Sequence, residues 1–325
     1  MTKEEVLKYL RKTDNYLSGE EISRNLGVSR TAVWKAISAL REDGYVIDSV
    51  TNKGYRLTES PDRLSAQEIS EGLKTTQIGK HIFTYETIDS TNEEAKRQGQ
   101  AGAPHGSVFV AEQQTGGKGR LGRVWTSPKG QGVWFTILVR TDESPLQISN
   151  ITLLAGMAVC SGIRKFTGCP AMIKWPNDVV IGSKKVCGIL TEISAEIERV
   201  NYIAIGIGIN ANIPDFPEEL SVKATSLQIE TGHPISRVKL LQCVLEEFED
   251  LYTRFPTATE PDFLDLYRSV CVSLNRRVST TRRDKILTGK AIDITPEGEL
   301  LVELDDGNRI AINAGEVTVQ GIYGQ

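Results

Sequence analysis

The sequence predicts an α+β protein in three parts: a winged helix-turn-helix at residues 1–62, a central mixed-sheet domain at 63–270 and a small SH3-like β-barrel at 271–325. Three observations carry this. Three short amphipathic helical segments and a strand–turn–strand pattern open the chain. Residues 64 to about 270 mix strands and helices without strict alternation, which favours a mixed or antiparallel sheet over a doubly wound one. From residue 275 onward the chain is almost entirely short strands and turns.

Residues 3–13 read as a helix with Val6, Leu7 and Leu10 on one face. Ser18 and Glu21 have capping-box spacing at the start of a second helix, and Gly27 suits its left-handed end. Ser29 caps a third helix whose apolar stripe is Val33, Ile37 and Leu40. Residues 45–50 and 54–57 flank the turn Thr51–Gly54 as the two strands of a wing, and Ser60-Pro61-Asp62 reads as a linker. Central strands are expected at 82–86, 107–112, 132–140, 171–175, 186–194 and 201–209. Helices are expected at 65–74, 91–98, 147–167, 237–254 and 260–270. Turns at 295–298 and 305–308 separate the last strands, and closure into a barrel is the simplest way to remove their edges.

A chain of 325 residues exceeds one hydrophobic core, and 39% apolar with 25% charged residues is an ordinary soluble composition. The longest apolar run, around Ile203 to Ile209, is far too short for a membrane span. The start Met1-Thr2-Lys3-Glu4-Glu5 has no apolar leader core, so a cytoplasmic location is expected. Cys160, Cys169, Cys187, Cys243 and Cys271 are odd in number and form no C-x-x-C pair, and are expected to be buried free thiols. A net charge of -4 excludes a protein that coats nucleic acid along its whole length. Charge is uneven, however: Arg24, Arg30, Lys35 and Arg41 fall between Ser23 and Arg41 with no acid among them. Ser29, Arg30, Thr31 and Lys35 open the third helix, where a recognition helix meets base edges, and Lys53 and Arg56 on the wing suit phosphates. A small protein-binding domain with solvated charges is the alternative. The helix spacing, the Gly27 turn, the acid-free helix and the wing together favour DNA.

Residues 117–122 match G-x-G-x-x-G, but Pro128, Gly130 and Gly132 forbid the helix that a dinucleotide fingerprint requires next. A Walker A loop fails too, because no Gly-Lys-Ser/Thr follows at its spacing. What remains is a glycine loop with three cations, Lys118, Arg120 and Arg123, fit to wrap an anion; a plain surface loop is the alternative. Lys174 and Lys185 are expected near the ends of successive strands. Between them Asn177 and Asp178 offer oxygen ligands for Mg²⁺ beside a triphosphate, or simply form a turn. Thr91 and Glu94 have capping-box spacing, and a capped helix start also presents Ser90, Thr91 and Asn92 to a ligand. Gly206 and Gly208 permit close approach of a ligand, or mark a bulge. His81, His105 and His233 are scattered, and no serine or cysteine pairs with a base. Chemistry here is expected to run on positioning and charge stabilisation rather than a covalent enzyme intermediate.

Together, Asp89–Asn92, Gln114 with the loop Gly117–Arg123 and Trp125, Lys174–Asp178, Lys185–Gly188 and Gly206–Asn210 resemble the bifunctional biotin–protein ligase and biotin operon repressor family. Each motif is short, but their joint order is specific and spans nearly the whole chain. The resemblance implies biotin contacts from Ser90, Thr91, Asn92, Gln114, Lys118, Gly119, Arg120 and Lys185, with Gly206 and Gly208 beside them. It implies a nucleotide site of Arg120, Arg123, Trp125, Asn177 and Asn210, and catalytic roles for Lys174, Lys185, Asp178 and Arg120. It further implies biotin and ATP as substrates, Mg²⁺, a biotinyl-5'-adenylate intermediate and transfer to a lysine of the biotin carboxyl carrier domain of a carboxylase. A homodimer on an inverted-repeat operator, repressing biotin genes, completes the implied picture. One departure is visible: the family loop commonly reads Gly-Arg-Gly-Arg, and Lys118 keeps the charge of the first arginine but not its bidentate fork. A lipoate-type ligase and a non-enzymatic biotin-sensing regulator stay open as alternatives.

Overall fold

The computed structural model describes residues 3–142, 150–196, 200–282, 285–313 and 317–324. The chain forms two compact units, Met1–Asp62 and Arg63–Gln325.

In the first unit, α1 (Lys3–Leu10), α2 (Gly19–Leu26) and α3 (Arg30–Glu42) precede a hairpin of β1 (Val46–Val50) and β2 (Gly54–Glu59). Val6, Leu7, Leu10, Ile22, Val33, Ile37 and Leu40 close its core, together with Ile47. Ser18 Oγ accepts from Glu21 N at 3.0 Å and Ser29 Oγ from Ala32 N at 3.1 Å. Each such cap contributes about 1 kcal/mol. The wing is tied down by Leu17, whose N–H and carbonyl exchange bonds with Tyr55 at 2.9 Å. Gly54 is required there: it has φ 108, and a Cβ would stand 2.0 Å from the Leu17 carbonyl oxygen.

The second unit begins with α4 (Ala66–Ser70), β3 (Ile82–Tyr85), α5 (Thr91–Gln100), β4 (Ser107–Ala111) and β5 (Gly132–Val139). It continues through α6 (Ile151–Thr167), β6 (Ala171–Lys174), β7 (Asp178–Ile181), β8 (Lys184–Ala195) and β9 (Val200–Asn210). Then come α7 (Glu218–Ser221), α8 (Leu227–Thr231), α9 (Arg237–Arg254) and α10 (Pro261–Val270). The strands form one mixed sheet in the order β3-β4-β5-β9-β8-β7-β6, parallel between β3 and β4 and antiparallel elsewhere.

Period-2 alternation assigns the two faces. On β9, Ile203, Ile205, Ile207 and Ile209 enter the large core with Leu154 and Val159 of α6 and Leu240 and Val244 of α9. Tyr202 and Ala204 turn to the opposite face, where they pack with Ala95 of α5, and Gly206 and Gly208 continue that row. On the same face, Thr136 of β5 stands opposite Gly206 and Trp134 opposite Gly208, while Leu190 and Gly188 of β8 flank them from the other side. The sheet thus builds a dry core on one side and a glycine-floored trough on the other.

The remaining strands, β10 (Arg277–Arg282), β11 (Lys285–Ile294), β12 (Leu300–Leu304), β13 (Arg309–Ile312) and β14 (Val317–Val319), form an antiparallel sheet in the order β13-β12-β11-β10-β14. The first and last strands, β10 and β14, pair side by side, the strand order expected of a small SH3-like β domain. Its apolar face, including Ala291, Leu300 and Val302, is continuous with the core of the large sheet. Trp175 Nε1 donates to the Gly298 carbonyl at 2.9 Å and Val272 N to the Ile173 carbonyl at 2.8 Å, which fixes this sheet beside β6.

Several expectations need correction. The expected helix at 65–74 is only Ala66–Ser70, and α1 stops at Leu10. The start of the expected 147–167 helix, residues 147–149, lies outside the described residues. Strand β7 lies between Lys174 and Lys185, so these lysines are not on successive strands; its four residues directly after Pro176-Asn177 look like a turn in isolation. α7 and α8 also carry no clear periodicity in their four and five residues. Cys160, Cys169, Cys187 and Cys271 are buried and free, whereas Cys243 is half-buried. Among the described residues no helix is long and apolar enough to cross a membrane.

Candidate active site

The trough is closed at one end by the N-terminus of α5. Ser90 occupies the N-cap without a side-chain capping bond, and Thr91 is the first helical residue, so the Thr91–Glu94 capping box does not form. A long-range partner replaces it: Gln114 Oε1 accepts from Thr91 N at 2.8 Å and from its hydroxyl at 3.1 Å, while Gln114 Nε2 donates to Ser127 Oγ. Thr136 donates to Asn92 Oδ1 at 2.7 Å and lies 2.9 Å from Thr91 Oγ1. Asn92 Nδ2 donates to the Leu190 carbonyl and to Glu192. Thr91 and Asn92 are therefore oriented by long-range partners, Gln114 after β4 and Thr136, Leu190 and Glu192 of the sheet. Just before it, Arg97 holds both oxygens of Asp89, at 2.9 and 3.0 Å, and this hydrogen bonding draws the Asp89 carboxyl down to about 2.

The glycines make room for this network. A Cβ on Gly206 would lie 2.1 Å from Asn92 Oδ1, and one on Gly208 would lie 2.5 Å from Trp125 Nε1. The ladder through Gly206 and Gly208 is regular, so the bulge alternative is not observed.

Over the trough passes the glycine loop. Gly119 N donates to the Arg123 carbonyl at 2.7 Å, and Leu121 at φ 56 turns the loop back. Lys118 Nζ is drawn to Glu93 of α5 at 2.7 Å. Arg120 Nη1 donates to Asn177 Oδ1 at 2.9 Å. Trp125 packs edge-on against Trp134, with Lys185 Nζ 5.1 Å from its ring centre. Its indole N–H is buried without a partner among the described groups.

Ser90, Thr91, Asn92, Gln114, Lys118, Gly119, Arg120, Lys185, Gly206 and Gly208 all line one pocket. Arg120, Trp125, Asn177 and Lys185 are also walls of an adjoining one, where Lys174, Asp178 and Arg123 join them. Asn210 lines neither pocket; it is buried with its Nδ2 on the Thr225 carbonyl at 3.1 Å. Five cations surround the second pocket, Arg120, Arg123, Lys174, Lys185 and Lys223, against one acid, Asp178. Lys223 and Tyr323 were not legible from the sequence, since neither belongs to a motif.

Asp178 Oδ1 pairs with Lys185 Nζ at 2.5 Å, and Oδ2 accepts from the Tyr323 hydroxyl at 2.7 Å. Burial pushes this carboxyl up, but the Lys185 and Lys174 ammonium groups and the two hydrogen bonds outweigh it and leave it below its ordinary value. Asn177 is equally committed, accepting from Arg120 and donating to the Ile189 carbonyl at 3.0 Å. Asp178 is engaged by Lys185 and Tyr323 and Asn177 by Arg120 and the Ile189 carbonyl, while the buried Asp178 Oδ1 meets Lys185 as an ion pair and has no other hydrogen-bond partner among the described groups. Among the described residues no group of three or more His, Cys, Asp or Glu converges on a metal position. Burial raises the Cys160 and Cys271 thiols to about 11 and also raises Cys187, so none is a nucleophile near neutrality.

In the first unit, Arg30, Thr31 and Lys35 are exposed on α3, and Lys53 at the wing tip. Two expected contacts are engaged internally: Ser29 Oγ is the helix cap, and Arg56 pairs with Asp48 at 3.0 Å and stacks on Tyr16. Trp34 between Arg30 and Lys35 is 58% exposed and lies off the apolar stripe of α3.

Fold and site together define a ligase domain of the biotin/lipoate type joined to a helix-turn-helix unit. The description "Biotin/lipoate A/B protein ligase family" matches residues 84–210, "HTH domain" residues 2–56 and "Biotin protein ligase C terminal domain" residues 273–319. The chain is 41% identical over 296 residues to the bifunctional ligase/repressor BirA of Bacillus subtilis (strain 168), covering 90% of this chain and 91% of that protein. It is 29% identical to the bifunctional ligase/repressor BirA of Escherichia coli (strain K12), covering 92% and 94%. Among solved structures, the biotin protein ligase of Aquifex aeolicus in complex with biotin and ATP aligns at a TM-score of 0.64 and 31% identity, over 74% of this chain and 99% of that one. The chain belongs to the bifunctional ligase/repressor family of biotin protein ligases.

Proposed function

We propose that this protein is an ATP-dependent biotin–protein ligase that also represses transcription of biotin genes in response to biotin. The observation that carries the reading is the convergence of the α5 start, the glycine loop, Lys185 and the β9 glycines on one pocket that opens into a second, cation-walled one.

In the first step a biotin carboxylate oxygen attacks the α-phosphorus of ATP and pyrophosphate leaves. The first pocket holds biotin between Ser90, Thr91, Asn92, Gln114 and the loop residues Lys118 to Arg120, over Gly206 and Gly208. Lys174, Lys185, Arg120 and Arg123 offset the charge of the triphosphate and the departing pyrophosphate. Trp125 offers its unpartnered N–H and its ring to the nucleotide. Asp178 acts by holding Lys185, and Asn177 by holding Arg120. Mg²⁺ enters with ATP as part of the substrate. In the second step an acceptor lysine attacks the biotinyl carbonyl and AMP leaves; the acceptor is the biotin carboxyl carrier domain of a carboxylase.

In this reading residues 1–62 bind operator DNA, 63–270 carry the chemistry and 271–325 supply one wall of the site. Arg30, Thr31 and Lys35 read bases and Lys53 meets phosphate, with Ser29 and Arg56 in supporting positions. The protein works in the cytoplasm and binds an inverted repeat as a homodimer. The test is biotin-dependent exchange of pyrophosphate into ATP on the purified chain, with lipoate in a parallel arm. Exchange with biotin alone is the expected result. Exchange with lipoate alone, or with neither acid, overturns the proposal.

A further inference from the structure

Four charges of alternating sign run from the glycine loop to the floor of the trough. Lys118 Nζ of the loop donates to Glu93 Oε1 at 2.7 Å, and Lys96 Nζ donates to the same oxygen at 2.9 Å. Lys96 Nζ also donates to Glu192 Oε1 of β8 at 2.9 Å, and Glu192 Oε2 accepts from Asn92 Nδ2 at 2.9 Å. Helix spacing sets this up: Lys96 follows Glu93 by three residues and Asn92 by four, so it is a neighbour of both on the surface of α5. On β8, Glu192 stands two residues beyond Leu190, whose carbonyl also accepts from Asn92. Asn92 and Lys118 line the first pocket, and Glu93, Lys96 and Glu192 stand behind them.

One ammonium group therefore serves two carboxylates. The side chains of Lys96, Glu93 and Glu192 are between 27% and 32% exposed, so water screens the three charges only in part. Burial works against the Lys96 charge, but the bonds to Glu93 and Glu192 outweigh it and hold the ammonium above its ordinary value. Without that cation the two carboxylates face each other as like charges, which is unfavourable at this range. Glu93 keeps a second lysine in Lys118, whereas Glu192 is left with the neutral Asn92 amide. Glu192 is then the group that moves, and it releases the amide that fills the space over Gly206.

We propose that Lys96 is a positioning residue for biotin: by neutralising Glu93 and Glu192 together it holds Glu192 on Asn92 and Glu93 on Lys118, so that the pocket floor and the loop latch share one ammonium group. The proposal rests on the reading of the first pocket as the biotin site. Lys96→Met keeps most of the side-chain length and removes the charge; Lys96→Arg keeps the charge. Biotin affinity by calorimetry should fall about tenfold in Lys96→Met, the worth of one hydrogen bond at Asn92, and stay within about threefold of wild type in Lys96→Arg. Adding Glu192→Gln to Lys96→Met leaves Asn92 an acceptor and removes the repulsion, so affinity should return to within about threefold of wild type. The KM for ATP in pyrophosphate exchange at saturating biotin should stay within about twofold in all three variants, because no member of the network lines the second pocket. Unchanged biotin affinity in Lys96→Met overturns the proposal. A loss that Glu192→Gln does not relieve overturns it too, because the charge is then not the cause. So does an equal loss in biotin affinity and ATP KM, the pattern of a lysine that only stabilises the fold. If the wild-type chain itself binds no biotin, it is the ligase reading that fails, and the two failures are distinguishable.

Discussion

Gly206 shows how a single missing side chain shapes the biotin site. Asn92 lies where its Cβ would be, and Asn92 in turn is fixed by Thr136, Leu190 and Glu192. Gly206→Ala forces Asn92 out of that position, and we expect biotin affinity, measured by calorimetry, to fall at least about tenfold while circular dichroism stays native. A second residue-scale effect belongs to Asp89. Arg97 lowers its folded-state value to about 2 from an ordinary 3.8, so its contribution to stability is present above pH 4 and is lost as pH falls toward 2. The Asp89 side chain is 52% exposed, which keeps that contribution under about 1 kcal/mol. Urea unfolding at stepped pH should show wild type more stable than Asp89→Asn at pH 5, with the two converging as pH approaches 2. A constant offset across that range would remove the Arg97 pair as the cause.

At the scale of elements, the site is a meeting of one helix start, one loop and the five strands β5 to β9. The loop is latched twice, by Lys118 to Glu93 on α5 and by Arg120 to Asn177 between β6 and β7. The lysine that replaces the usual arginine thus points outward to an acid of the helix, as a point charge rather than a fork. Lys185, the second residue of β8, lines both pockets. A charge-assisted bond from it to a carboxylate or phosphate is worth about 1.5–3 kcal/mol, so Lys185→Ala should weaken biotin or adenylate binding roughly 10- to 100-fold with the fold intact. Unchanged affinity for both ligands would place Lys185 outside the site. Of these elements α5, β5 and β9 were legible from periodicity and length. β7 was not, because four residues after a Pro-Asn pair carry a turn's composition, and only pairing with β6 and β8 makes them a strand.

For the whole molecule, the proposed ligand contacts all lie in Arg63–Gln325 and the proposed DNA contacts all lie in Met1–Asp62. Removing residues 1–62 should abolish operator binding in a gel-shift titration and leave measurable pyrophosphate exchange. One winged helix with few exposed cations binds DNA weakly and salt-dependently, so tight operator binding calls for two copies. In the proposed reading biotinyl-adenylate orders the glycine loop and so lowers the entropic cost of pairing two copies. Sedimentation and operator titration at one fixed salt concentration should show both dimerisation and operator affinity increased by the adenylate. Ligand-independent values for both would break the link between the chemistry and repression.

The sequence by itself determined what is local or periodic. The caps Ser18 and Ser29, the stripes of α1 and α3, and the alternating isoleucines of β9 are set by neighbours within a few residues. The order of short motifs was enough to mark the family. Tertiary structure decided what depends on residues far apart in the chain meeting at bonding distance. Thr91 is satisfied by Gln114 rather than by its own capping box, and Asn92 fills the space of Gly206. Asn210 turns to Thr225 and away from the pockets. Asp178 becomes the partner of Lys185 and of Tyr323, which is 145 residues away. The physical reason is common to all four. A polar side chain is directed by whichever donor or acceptor the packed sheet brings to it, and a buried group commits to that partner because leaving it unpaired costs more than any local preference supplies.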